Sequence, residues 1–73
     1  MKELIKNYKI SCEMAKERIG ELRLQRNTLR QKNAVQEIEK LDLNRRIRLL
    51  CTEYIDMREI IDNLEKYERV VHN

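Results

Sequence analysis

Arginine is the side chain through which this sequence could do chemistry. Between Leu22 and Leu49 it carries Arg23, Arg26, Arg30, Arg45, Arg46 and Arg48, with Lys32 and Lys40 among them, against Glu37, Glu39 and Asp42. Clustered guanidinium groups grip phosphates and supply the sequence-independent part of nucleic-acid affinity. The same charges can instead form a solvated face that keeps a helical protein soluble and biases its pairing. A net charge of only +3, and the lack of any aromatic residue in the basic stretch, favour that second use.

Other reactive side chains are sparse. Cys12 and Cys51 follow no secretory hydrophobic core, so they read as reduced thiols in a packed seam rather than as a disulfide. Cys51 would lie partly exposed near Lys16, yet no His or Asn completes a nucleophile's surroundings. His72 stands alone, and no set of ligands has metal-site spacing. The carboxylates sit at helical distance from Lys and Arg, where intrahelical pairs account for them. There is no Gly-rich loop to cradle a nucleotide phosphate. The residues therefore point to a non-enzymatic protein without metal or cofactor.

The elements that position these residues are helices. Charged residues make up 40% of the chain, with one Gly and no Pro, Trp or Phe. That composition belongs to long helices or coiled coils, and the absence of Pro removes the strongest helix breaker. Seventy-three residues make one small domain at most, with an isolated core that is marginal. From Ile47 the apolar residues Leu50, Tyr54, Met57, Ile61 and Leu64 recur at alternating steps of three and four, closing on Val71 one heptad later, the mark of a coiled-coil seam. The same heptad frame picks out Ile5, Cys12 and Ile19 at a, and Tyr8, Ala15, Leu22 and Leu29 at d. Lys2, Lys9, Lys16, Arg23 and Arg30 then line the e positions. Gly20 falls at b, outside the seam, at a cost of about 1 kcal/mol relative to Ala.

The seam fails in the middle. Arg26, Asn33 and Lys40 occupy successive a positions and Gln36 a d position, while Val35, Ile38 and Leu41 point elsewhere. One polar a residue can specify register, but a run of four argues for a break. Asn33 followed by Gln36 matches a capping box, with Thr28 and Gln31 a weaker one. The expected fold is therefore all-α. It is an antiparallel two-helix hairpin, with helix 1 over about residues 2–31, a turn at about 31–33 and helix 2 over about 34–70. Folding back there faces Leu22 with Leu43, Ile19 with Ile47, Ala15 with Leu50, Cys12 with Tyr54, Tyr8 with Met57 and Ile5 with Ile61. Two straight helices exchanged between copies would form the same pairs, so the hairpin and its swapped dimer remain alternatives here.

A second apolar set remains after the seam is assigned. Leu4, Ile10, Met14, Leu49, Ile60, Tyr67 and Val70 form the expected partner face, with Leu24, Leu41 and Ile55 also left over. Two helices cannot cover all of it, so two hairpins pairing as a four-helix-bundle homodimer, or one hairpin docking on another protein, is expected. No apolar run approaches the ~20 residues of a membrane span, and a cytoplasmic location without membrane contact is expected.

One stretch carries a family likeness. Arg45-Arg46-Ile47-Arg48-Leu49-Leu50, then Glu53-Tyr54-Ile55-Asp56-Met57-Arg58-Glu59-Ile60-Ile61, Leu64 and Tyr67-Glu68-Arg69-Val70-Val71, resembles the helical N-terminal hairpin of phage sigma-factor-like, ArpU-like regulators of late transcription. The resemblance covers the second half of the chain. It implies a charged helical hairpin in a phage or mobile-element regulatory setting, and in that family a helix-turn-helix DNA reader follows. Here the chain stops at Asn73, so the resemblance implies the hairpin without the reader. The hairpin phosphatases of sporulation signalling need Ser-Gln-Glu-Leu-Asp; Val35-Gln36-Glu37-Ile38-Glu39 lacks the Ser and the closing Asp, which sets that family aside. Together these features predict a protein–protein interaction module, with a small nucleic-acid-binding protein using the six arginines as the alternative.

Overall fold

The computed structural model describes residues 2–72, and the His72 side chain lies outside the described part. Two 30-residue helices, α1 (Lys2–Gln31) and α3 (Leu43–His72), pack against each other, joined through the short helix α2 (Val35–Lys40). The rod measures 57 × 14 × 14 Å. All regular structure among the described residues is helical. None of the helices is long and apolar enough to cross a membrane.

The core is the heptad seam. On α1 the buried residues are Ile5, Cys12, Ala15, Ile19 and Leu22, and Leu43, Ile47 and Ile61 answer them from α3. At the turn end Leu22, Leu43 and Ile47 cluster with Ile38, flanked by Leu29, Leu50 and Cys51. At the open end Ile5, Cys12 and Ile61 cluster, flanked by Tyr8, Tyr54, Met57 and Leu64. The heptad frame thus names the faces that meet, but the contacts between the long helices, Arg26 with Asn44, Arg23 with Cys51 and Lys9 with Glu65, run several residues beyond the pairing expected from a pivot at Asn33, because α2 lengthens the connection. Burial of each aliphatic side chain contributes roughly 1.5–3 kcal/mol, so the seam holds the hairpin closed.

The connection departs from the expected single second helix over 34–70. That stretch is divided: α2 ends at Lys40, Leu41 and Asp42 turn the chain, and α3 starts at Leu43. The apolar residues off the seam explain why. In one straight helix Ile38 would fall at f, on the side opposite the seam; redirecting α2 brings it into the turn-end cluster at 3% exposure. Val35 and Leu41 remain exposed.

The expected capping box at Asn33 and Gln36 does not form. Ala34 is the N-cap of α2, with no side-chain hydrogen bond. Asn33 instead closes α1 in the left-handed region, at φ 56°. Its N–H donates to the Arg30 carbonyl at 3.0 Å, and the Ala34 N–H donates to the Leu29 carbonyl at 2.8 Å. Those two bonds make a Schellman motif, whose left-handed residue is usually Gly and sometimes Asn. The other proposed cap is also absent, since the Thr28 hydroxyl donates back to the Leu24 carbonyl at 2.9 Å within α1.

Asp42 also takes the left-handed region, at φ 54°. Its N–H donates to the Glu39 carbonyl at 3.0 Å, and its own carbonyl accepts from the Arg46 N–H at 3.0 Å. One residue thereby ends α2 and begins α3. Its carboxylate also sits at the positive end of the α3 dipole, a favourable place for negative charge.

Candidate functional site

The antiparallel seam gives the rod two unlike edges. With a and d buried, the e positions of both helices share one edge and the g positions the other, each extended by b or c. Contacts between helices bear this out on the e side. Lys9 Nζ meets Glu65 Oε1 at 3.0 Å, and Arg23 Nη2 donates to Cys51 Sγ at 3.6 Å.

The g edge gathers most of the uncovered apolar surface. Leu4, Ile60 and Tyr67 occupy g positions, and Met14, Leu49 and Val70 the adjacent c positions. All are exposed, from 38% at Ile60 to 78% at Val70. Leu4, Ile60, Tyr67 and Val70 lie toward the open end of the rod. Ile10, expected on the partner face because the seam leaves it over, falls at f on the back of α1, away from this edge. Leu24 shares that back face, and Ile55 belongs to the opposite edge.

The six arginines do not form one patch. Arg23 and Arg30 at e, with Arg48 at b, lie along the e edge; Arg46 at g lies on the other; Arg45 at f points outward. Several are engaged within the chain. Arg26, at a seam position, donates through Nη1 to Asn44 Oδ1 at 3.0 Å, and its buried Nε has no partner among the described residues. Arg46 Nη1 donates to the Leu41 carbonyl at 3.5 Å, where it closes the end of α2. Arg45 Nη1 lies 3.6 Å from Asp42 Oδ2. Arg26, Arg45 and Arg46 thus help to build the turn end.

The e edge holds a feature that residue types alone do not reveal. Lys16, Ile19, Gly20, Arg23, Cys51, Tyr54 and Ile55 line an open groove of about 430 Å³. Gly20 leaves its wall low, since a Cβ there would meet nothing within 4 Å. The small residues at 20 (b) and 51 (e), between longer cationic neighbours, are the signal that could have found it. Cys51 lies near Lys16, as the register implies, and both cysteines are free thiols.

Electrostatics along the rod are mild. Arg18 with Glu21 at 2.9 Å and Arg58 with Asp62 at 3.8 Å are exposed pairs within one helix, each worth a few tenths of a kcal/mol at ~0.2–0.5. The hydrogen bond from Lys9, then its charge, hold the Glu65 carboxyl below its ordinary 4.5. A carboxyl lowered on folding stabilises the fold above that ordinary value and loses its contribution as pH falls through the lowered one. Glu65→Gln should therefore flatten the fall of Tm on the acid side of about pH 4.5. Identical acid limbs for the two proteins would remove Lys9 from the role. Among the described residues no three His, Cys, Asp or Glu side chains converge as a metal site.

Comparisons with protein-family models, characterised proteins and solved structures yield no match to this chain.

Proposed function

We propose that the chain is a non-enzymatic helical-hairpin module that works by protein–protein contact, with a second copy of itself as first partner. The observation that carries this reading is the uncovered g edge: Leu4, Met14, Leu49, Ile60, Tyr67 and Val70 lie along one side of the rod, all exposed. An apolar edge of this length on so thin a rod is a docking surface in search of cover. Two hairpins joined along it make a four-helix bundle with a self-complementary, two-fold interface. The likeness of the Arg45–Val71 stretch to ArpU-like hairpins supports a setting in phage or mobile-element transcription control, in the cytoplasm.

Exchanging Ile60 and Tyr67 together for Glu tests the reading, because both side chains are already exposed and charge there leaves the seam intact. Sedimentation equilibrium should give a dimer for the parent and a monomer of unchanged helicity for the variant. A parent that stays monomeric at high micromolar concentration overturns the reading.

The alternative, nucleic-acid binding, is supported by Arg23, Arg30 and Arg48 sharing the e edge. Among the described residues the guanidinium groups of Arg30 and Arg48 make no hydrogen bond or ion pair that would hold them back. Binding to random-sequence duplex at low salt, weakening steeply as salt rises, would favour it over the bundle.

A further inference from the structure

The connector is where backbone and local sequence disagree. Asn33 and Asp42 are the two non-glycine residues with positive φ among the described residues, at 56° and 54°. From Lys32 to Leu43 there is no Gly and no Pro, and Gln36, Glu37, Glu39, Lys40 and Leu41 are all good helix formers. The left-handed region is disfavoured for any residue with a Cβ, even for Asn and Asp, which tolerate it best. The hairpin therefore holds, bent at two places, a segment whose own preference is to run straight. Strain in a hinge segment invites exchange between copies.

Heptad phase is a second and independent observation. Ile5, Tyr8, Cys12, Ala15, Ile19 and Leu22 on α1 share one unbroken frame with Leu43, Ile47, Leu50, Tyr54, Met57 and Ile61 on α3. The step from Leu22 to Leu43 is three whole heptads. A hairpin has no need of this, because its turn resets the rotation of the returning helix. A single straight helix does need it, or its two halves would present their seams in different directions.

We propose that residues 33–42 are a hinge, and that the chain exchanges α3 with a second copy to form an antiparallel dimer of two long helices. Each seam pair of the hairpin then re-forms between copies, Ile5 with Ile61 at one end and Leu22 with Leu43 near the centre. Opposing terms keep the two forms in balance. Exchange releases both left-handed residues, while the hairpin keeps Ile38 buried. This exchange uses the seam, whereas the bundle proposed above uses the g edge, so either can hold without the other.

The test compares Asp42→Ala with Asp42→Gly in the full chain. Both remove the same carboxylate, so they differ in backbone preference alone. Ala resists the left-handed turn and favours the straight helix, and Gly does the reverse. Because each dimer straightens two hinges, the dissociation constant of the Ala variant should be lower than that of the Gly variant by a factor on the order of ten or more. Small-angle scattering then separates the two kinds of dimer. An exchanged dimer is a rod on the order of 100 Å long at 1.5 Å per residue, whereas a bundle of overlapping hairpins keeps close to the 57 Å of one hairpin. Tighter association of the Ala variant with the longer rod is the result expected. A short dimer would overturn the exchange and leave the bundle standing. Equal dissociation constants, monomers throughout, or an Ala variant that loses its helicity would each overturn the exchange as well.

Discussion

Leu43→Ala is expected to destabilise the hairpin by about 2–5 kcal/mol, the range for truncating a fully buried leucine. Leu43 has no exposure and Leu22, its seam partner, 1%. Their cluster is completed by Ile38 and Ile47, so the missing methyls leave a cavity walled by three elements. The backbone cannot settle into that space, because Leu43 opens α3 directly after the left-handed turn at Asp42. Ala is itself a good helix former, so helix propensity contributes nothing to the loss. A domain of this size holds roughly 4–10 kcal/mol in total, so the substitution takes a large share of it. Thermal unfolding followed by circular dichroism should show Tm lower by about 10–25 °C. Leu49→Ala, at an exposed position, should stay within about 0.5 kcal/mol of the parent. Leu50→Ala should fall between the two, since that side chain is half-buried at the edge of the cluster. A Tm for Leu43→Ala no lower than that for Leu49→Ala would mean the two helices do not meet in this register.

The buried faces are legible in the sequence. A heptad frame names the side that each long helix buries, but the pivot near Asn33 is not where the chain turns back, because α2 intervenes and α3 starts at Leu43. The connection is less so, for two physical reasons. Asn serves equally well as an N-cap and as the left-handed residue that ends a helix, so residue type could not decide which role Asn33 takes. In a single second helix Ile38 is stranded on the wrong face; only a second break, at Asp42, lets it turn inward. Nothing in the spacing marks Asp42 for that task, since an Asp ahead of a helix also reads as an ordinary cap.

The candidate surfaces divide along the same line. Which apolar residues remain after the seam is filled follows from counting, and Leu4, Ile60 and Tyr67 are exposed accordingly. Which of them share an edge follows only from the heptad letters once the helices are antiparallel, and those letters detach Ile10 from the set. The arginines illustrate the converse. Charge clustering in sequence put six together, yet Arg26, Arg45 and Arg46 are drawn into hydrogen bonds and an ion pair around the turn. A charged residue near a break has backbone carbonyls and caps to satisfy, and this competes with any ligand for its donors.

Ile38→Ala separates the connector from the rest of the fold. Ile38 is the single buried side chain of α2, and a helix of six residues cannot persist in water without tertiary support. Truncation should cost about 2 kcal/mol, the lower end of the range for a buried isoleucine, because α2 can shift or fray instead of leaving a rigid cavity. The loss should also be local. Hydrogen exchange would show amides of residues 35–42 losing protection, while those flanking Cys12 and Ile61 still open only with the whole molecule. Leu43→Ala, in contrast, should lower protection throughout both long helices. The two variants should differ in association too. At f of a straight helix residue 38 faces outward, so Ile38→Ala weakens the hairpin and leaves the exchanged dimer untouched. Its dissociation constant should then fall in the same direction as that of Asp42→Ala, even though one change alters a side chain in the core and the other a backbone preference. An Ile38→Ala chain that is less stable but associates no more tightly than the parent would show that α2 serves only to close the turn, and that the strain at Asn33 and Asp42 is held in place by the seam alone.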